Sequence, residues 1–556
     1  MTPTIHVDDE RWTRSGPVSV RGRAFRDDEL LAGDALCAHF EPVGSLEAFA
    51  AALDGLNGFF AVAVDLADAL LVGVDHVRSI PLLYAPAAGI ASDDAAALVD
   101  RLGAEPDDPL AESELLVSGS VLDNRTLVSG LLTVRPGEAV RLDDGGATTR
   151  RYADYRPRPA DGAAGDAGVC LAEAVDAAFD RFARVIGDRQ VAVALSGGYD
   201  SRLVVTELAA RDLDVLAYSF GRPDVEEARI ARDVATALDV PWAFAEYSTE
   251  RWGQWYRSAE REAYVEGAFT YDSIPNYGAL PALSELRGRG VIDADAVCTS
   301  GQTVAGMSED PPRELETGTP TQTDLIDALV RYWSRWEWEN PAFEAAVRTR
   351  ITGMLSGEAI TSAADAFARF ERWKWADRHV KYFLAEVREY DFHDLAWWLP
   401  LWDREVVAAW AAVPSAKRRE KQLFRALVDR RFAAVAGLDR ATATAMTTET
   451  NLPTFAGRVV DRAAERIVDS PIAPLLRGLY WRLQRRRSAY GDHPLGWYGI
   501  VPPDLFVQLY SGREDIHAFQ TLATVGRASF VDGTVTDPPR DGVLSVPYTG
   551  AARGRQ

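Results

Sequence analysis

Ser196-Gly-Gly-Tyr-Asp-Ser201 is the stretch whose residue types and spacing could do chemistry. Two adjacent glycines allow a turn through positive φ with no Cβ in the way. The hydroxyls of Ser196 and Ser201 and the free N–H groups of Gly197 and Gly198 can then face an anion. Asp200 sits where a carboxylate could hold a magnesium ion that bridges phosphates. The Gly-Lys-Ser/Thr ending of a Walker A loop is missing, and so is the dinucleotide fingerprint. The histidines, His379 and His393 among them, lack metal-ligand spacing, and Cys37, Cys170 and Cys298 are too scattered for a disulfide framework or a zinc site.

The elements around this stretch must aim it. Residues 191–195 form a valine-rich apolar run suited to a buried parallel strand, and a helical pattern runs from 203 to 210. A helix N-terminus after a glycine turn places a positive dipole end on the same anion. Helical spacing over residues 171–185 leads into that strand. A strand at 213–221, a helix at 225–238 and a strand at 240–246 follow it. That alternation predicts a doubly wound parallel sheet with ligands at the C-terminal strand ends.

Ser-Gly-Gly-x-Asp-Ser after a valine-rich strand resembles the pyrophosphate loop of the ATP pyrophosphatases. Further segments resemble asparagine synthetases. Asp272-Ser-Ile-Pro-Asn-Tyr277 is similar to that family's substrate-side segment, and Ala296 to Gly306, with Ser300-Gly301, to its second ATP segment. Pro414 to Phe424 is similar to the stretch that carries a charge-stabilising lysine, which lines up with Lys421. The resemblance implies ATP and magnesium as cofactors, with Asp200 and Lys421 catalytic and Asp200 the metal ligand. Leu195, Ser196, Gly197, Gly198, Ser201, Phe220, Ser300 and Gly301 would hold the nucleotide. It implies a carboxylate activated on ATP with loss of pyrophosphate, then attacked by ammonia or an amine. The family's acidic residues after the second Ser-Gly are replaced by Gln302, Thr303 and Val304, with Glu309 and Asp310 following off register. One of Glu386, Arg388 and Glu389 is expected to face the substrate.

The N-terminal part resembles the latter half of a class II glutamine amidotransferase domain of the Ntn type. The match runs through Leu56 to Ala61, Asp75, Arg78, Pro81 to Tyr84, Ile90 to Asp93, Glu112 to Ser120 and Val134 to Glu138. Arg150 to Tyr155 resembles its closing strand in glutamine-dependent asparagine synthetases. The family's nucleophile is a mature N-terminal cysteine, whereas this chain begins Met1-Thr2-Pro3 and first has cysteine at Cys37, in an apolar stretch. A domain that does not hydrolyse glutamine is therefore expected.

The expected fold class is α/β. A β-rich amidotransferase-like domain at 1–155 is joined by a Pro/Gly/Ala-rich linker at 156–168 to a parallel-sheet ATP pyrophosphatase domain at 169–440, with a helical C-terminal part at 441–556. The net charge of −23 argues against nucleic acid. Only four of the 60 basic residues are lysine, a balance that resembles cytosolic proteins of salt-loving archaea. No apolar run has membrane-spanning length, so a cytoplasmic enzyme is expected. Its partners would be a small carboxylate, aspartate first, and ammonia or an amine, in a possible homodimer. The competing expectations are amidation of another carboxylate, as in β-lactam synthetases, and a non-catalytic nucleotide binder. Clustered tryptophans at 331–338 and 370–375 read as packing, and the basic run 482–487 as a solvated helix face.

Overall fold

The computed structural model describes residues 3–550 apart from 9, 159–166, 310, 317, 356, 358, 447–496, 511–515 and 541–542. Asp310, most of the expected linker and the basic run at 482–487 lie outside the described residues, as do Met1 and Thr2.

The N-terminal part stacks two sheets between helices. The larger sheet is built around Val18–Arg26, Asn57–Asp65 and Leu70–Val74, which pair antiparallel. Its strands are apolar on both faces because both are covered. Leu36, Phe40, Phe49 and Leu53, from the helices Gly33–Phe40 and Leu46–Asp54, pack with Val18, Val62 and Val64. On the other face Ala61, Ala63 and Val72 meet Tyr84 of the smaller sheet and Leu82 just before its strand. Leu98 and Val99, on helix Ala95–Leu102, close the outside of that smaller sheet. The layers thus run helix, sheet, sheet, helix, a β-rich part as the sequence leads one to expect.

The second part carries a five-stranded sheet in the order Trp242–Glu246, Val215–Gly221, Val191–Ala194, Val297–Thr299 and Ala396–Trp397. Every neighbouring pair is parallel, with Val191 level with Val215 on one side and Val297 on the other. Chain order moves outward from Val191–Ala194 to one edge and then resumes on its other side. The end of that strand is therefore the switch point where such sheets bind ligands. The helices Ala167–Ile186, Tyr199–Ala209 and Glu226–Ala237 enclose it with a continuous apolar core.

The C-terminal part is helical at Trp497–Ile500, Pro503–Leu509 and Ile516–Thr524. It then adds the hairpin Ala528–Ser529 with Thr534–Val535, and Val543–Leu544 alongside Glu337–Trp338. The clustered tryptophans are packing elements, with Trp333, Trp336, Trp373 and Trp375 at most 3% exposed.

The N-terminal part is held to the second part by polar contacts. Arg78 Nη1 lies 2.7 Å from Asp272 Oδ2, and His76 Nε2 lies 2.7 Å from the Trp402 carbonyl. Lys381 Nζ donates to the carbonyls of Val121 and Asp123 and to Asp377.

Candidate functional site

Beyond Ala194 the chain turns through Leu195 to Gly198 and enters the helix Tyr199–Ala209. The serines tie this turn to itself. Ser196 N–H donates to Ser201 Oγ at 3.0 Å, the two hydroxyls lie 3.0 Å apart, and Gly198 N–H donates to Ser196 Oγ at 3.3 Å. Neither glycine uses the positive φ expected of it; Gly198 has φ −82° and ψ 178°. Extended backbone with no side chain at Gly198 keeps the turn slim enough for its N–H groups to bond within the loop. No side chain caps the helix through Gly198. The carboxylate of Glu227 accepts the Gly197 N–H, so an anionic group already rests on the loop.

Gly301 is explained by close approach. A Cβ there would lie 2.5 Å from Ser201 N and 2.9 Å from Ser201 Cα, so the strand end carrying Ser300 and Gly301 abuts the start of the loop's helix. Ser300 Oγ donates to Glu386 Oε1, and Gln302 Nε2 donates to Glu386 Oε2 at 3.1 Å. Thr303 caps the following 3₁₀ turn, and Val304 is buried in the core.

That turn, Val304–Ser308, brings Glu309 back to the loop. Lys421 Nζ lies 2.7 Å from Asp200 Oδ2 and also pairs with Glu309 Oε1. Burial pulls the Lys421 ammonium down, but Asp200 and Glu309 outweigh it and its pKa is raised. Lys421 and the preceding Glu420 have φ +55° and +53°, a left-handed pair that non-glycine residues rarely adopt. The pair turns the chain into the helix Gln422–Ala436 with the ammonium aimed at the loop.

The predicted residues thus meet at one place. Ser196, Gly197, Gly198, Asp200 and Ser201 form the loop, Ser300 and Gly301 abut it, and Lys421 binds Asp200. Leu195 is 3% exposed and packs in the core, while its carbonyl accepts the Ser219 hydroxyl at 2.6 Å. Phe220 stands one strand away, tilted on Tyr247 with centroids 5.4 Å apart. The sequence reading placed Glu309 off register. The tightness of the 3₁₀ turn brings it in.

Beside the loop lies a cavity of about 180 Å³, lined by Ala194, Phe220, Asn276, Tyr277 and Glu386 among others. Asn276 and Tyr277 come from the segment expected to face the substrate. Burial pushes the Glu386 carboxyl up to about 7, against the lowering effect of Ser300 and Gln302. Glu389, which accepts the Ala279 N–H at 2.8 Å, is likewise raised by burial and by Glu386.

No glutaminase-type thiol is visible at Cys37. It is fully buried in Gly33–Phe40, its Sγ 3.6 Å from the Thr13 carbonyl, and burial raises its pKa. Cys298 is buried in its strand and pushed up to about 12.

Residues 171–278, which include the loop, match the asparagine synthase family model. No curated protein matches the chain. Among solved structures, an allosteric regulatory enzyme of purine biosynthesis is similar at 12% identity and TM-score 0.18, over 42% of this chain and 62% of that one. Glutamine phosphoribosylpyrophosphate amidotransferase from B. subtilis, complexed with ADP and GMP, is similar at 11% identity and TM-score 0.17, over 52% and 64%. The chain therefore spans less than two thirds of either structure's length.

Proposed function

We propose that this chain, asparagine synthase-like over residues 171–278, is an ATP-dependent ligase that joins a small carboxylate to ammonia or an amine without hydrolysing glutamine. The family match supports an ATP-dependent amide-forming ligase in general. The observation that carries the finer reading is the convergence of the loop, Ser300-Gly301, Asp200, Glu309 and Lys421 at the switch point of the sheet. In this reading 1–155 is a degenerate amidotransferase-like part, 156–168 the linker and 169–440 the synthetase part.

The donor set suits magnesium. Two carboxylates converge on one ammonium, so hard oxygen ligands already surround a positive charge, and magnesium characteristically takes one or two carboxylates and keeps waters and phosphates as its other ligands. Asp200 and Glu309 would hold the ion, which neutralises phosphate charge when bound. ATP enters as substrate. The carboxylate oxygen attacks the α-phosphorus, the bond to pyrophosphate breaks, and the loop's N–H groups and serine hydroxyls receive the departing anion. Lys421, freed from the carboxylates, counters the charge that develops. The neutral amine nitrogen then attacks the acyl carbon, the bond from that carbon to the AMP oxygen breaks with its electron pair leaving on AMP, and the nitrogen's extra proton passes to solvent.

One feature supports the absence of glutaminase activity: Cys37 is buried with a raised pKa. Glu309 weighs against the non-catalytic reading, because it supplies a second carboxylate that Gln302, Thr303 and Val304 do not.

Pyrophosphate release from ATP and magnesium in high salt, with aspartate and ammonium, tests the reading against an Asp200→Ala control. Aspartate-dependent release that the control lacks is the expected result. Release that survives Asp200→Ala removes the loop from the mechanism, and no release with aspartate removes aspartate as the carboxylate.

A further inference from the structure

We propose that the cavity beside the loop is an organic-cation site, taking a small alkylamine whose ammonium faces Glu386 and whose carbon chain lies among aromatic rings, with the C-terminal segment as its far wall. The proposal rests on the ligase reading and names the class of its nitrogen substrate: an organic amine in preference to ammonia.

The cavity's composition is one-sided. Glu386 and Glu389 line it, and no lysine or arginine does. The partners of Glu386 are the neutral groups of Ser300 and Gln302, and Glu389 accepts from backbone N–H groups at the start of the helix Leu280–Gly288. Two neighbouring buried carboxyls without a cation are costly to ionise together, and an incoming ammonium is the group that relieves them. The rest of the wall is aromatic, from Phe220, Trp252, Tyr277 and Tyr390, which suits both an alkyl chain and a cation over a ring face. Trp252 is 2% exposed and its ring stacks on Tyr247 and Trp255, with centroids 4.6 Å and 5.2 Å apart. A ligand carboxylate placed against Glu386 and Glu389 would meet two carboxyls, so the activated carboxylate belongs on the loop side.

The wall formed by His517 and Gln520 comes from helix Ile516–Thr524, outside the family-matched residues. Its position is fixed by packing. Thr521 Oγ1 donates to the Leu116 carbonyl at 3.0 Å, and His517 Nδ1 lies 3.0 Å from Gln520 Oε1. Behind Trp252 two glycines let helices touch. A Cβ on Gly253 would lie 2.5 Å from the Gly499 carbonyl, and one on Gly499 would lie 2.8 Å from Trp252 Cβ. The C-terminal segment therefore sets the cavity's depth, and with it the amine's length.

Calorimetric titration of the full chain with n-butylammonium, butyrate and ammonium chloride tests this without ATP. Saturable n-butylammonium binding, at least about tenfold tighter than butyrate or ammonium, is the expected result. Glu386→Gln should weaken it about tenfold or more, and Gln520→Ala should shift the preference toward n-hexylammonium at unchanged thermal stability. Butyrate binding as well as n-butylammonium, or neither variant altering amine binding, overturns the proposal. If pyrophosphate release with aspartate and ammonium succeeds while no alkylamine binds, only this site fails. If alkylamine binds but no carboxylate supports pyrophosphate release, the ligase reading fails and the cation site stands.

Discussion

Three of the chain's four lysines are buried: Lys374, Lys381 and Lys421 are each 2% exposed, and only Lys417 is exposed. A chain that uses arginine almost everywhere else keeps lysine where a compact ammonium must fit among oxygens. Lys374 donates to the carbonyls of Gly306 and Glu309, and Lys421 to the carboxylates of Asp200 and Glu309. Lys374 thus fixes the backbone of Glu309 while Lys421 receives its side chain. If Glu309 shares the metal with Asp200, Glu309→Gln should raise the magnesium concentration needed for half-maximal thermal stabilisation by ATP about tenfold or more. An unchanged midpoint would leave Glu309 as a partner of Lys421 alone. This residue marks the limit of reading by register. The sequence shows that the positions after Gly301 are not acidic, but not that a five-residue 3₁₀ turn returns the chain to the loop.

At the scale of elements, the strand, glycine turn and helix were legible because each is local: an apolar run, two glycines and a helical period. The parallel order followed from alternation along the chain. What was illegible is built from distant segments. The cavity gathers residues from Ala194 to Gln520, and no spacing announces such a set. The π-helical stretch Lys374–Phe383, which buries Asp377, Arg378 and His379 between the N-terminal part and the 306–309 turn, likewise has no local signature in the sequence. The role of the loop glycines was only partly legible, since the turn is made without positive φ and it is Gly301, on another strand, that has no room for a side chain. Gly301→Ala forces the Ser300 strand end away from the loop's helix. We expect a loss of about 1–3 kcal/mol in stability from the overpacking, read by denaturant unfolding, and a larger loss in pyrophosphate release. Retention of both would mean the helix start can shift without cost, and would remove close approach as the reason for this glycine.

For the whole molecule, charge is the term that sequence fixes and fold only distributes. Asp and Glu total 83 against 60 Lys and Arg, a net charge of −23. Opposing this are the ion pairs that join the two parts. Arg78 and Asp272, at 2% and 0% side-chain exposure, are shielded from salt, and Arg78 helps to hold the Asp272 carboxyl down at about 2 against the opposing effect of burial. Breaking such a pair by removing one partner typically costs about 3–5 kcal/mol. Exposed pairs such as Arg404 with Asp54 are screened by salt, but each contributes only about 0–1 kcal/mol. Raising KCl from about 0.1 M to about 1 M shortens the Debye length from about 10 Å to about 3 Å, which removes most of the long-range repulsion among carboxylates and little of the buried pairing. The melting temperature should therefore climb by several degrees across that range, measured by calorimetry at fixed pH. Arg78→Met should lower the whole curve while leaving its slope on salt intact, because the pair it breaks lies beyond the reach of the ions. A melting temperature that falls with KCl would show that exposed inter-part pairs, and not net repulsion, dominate the electrostatics of this chain.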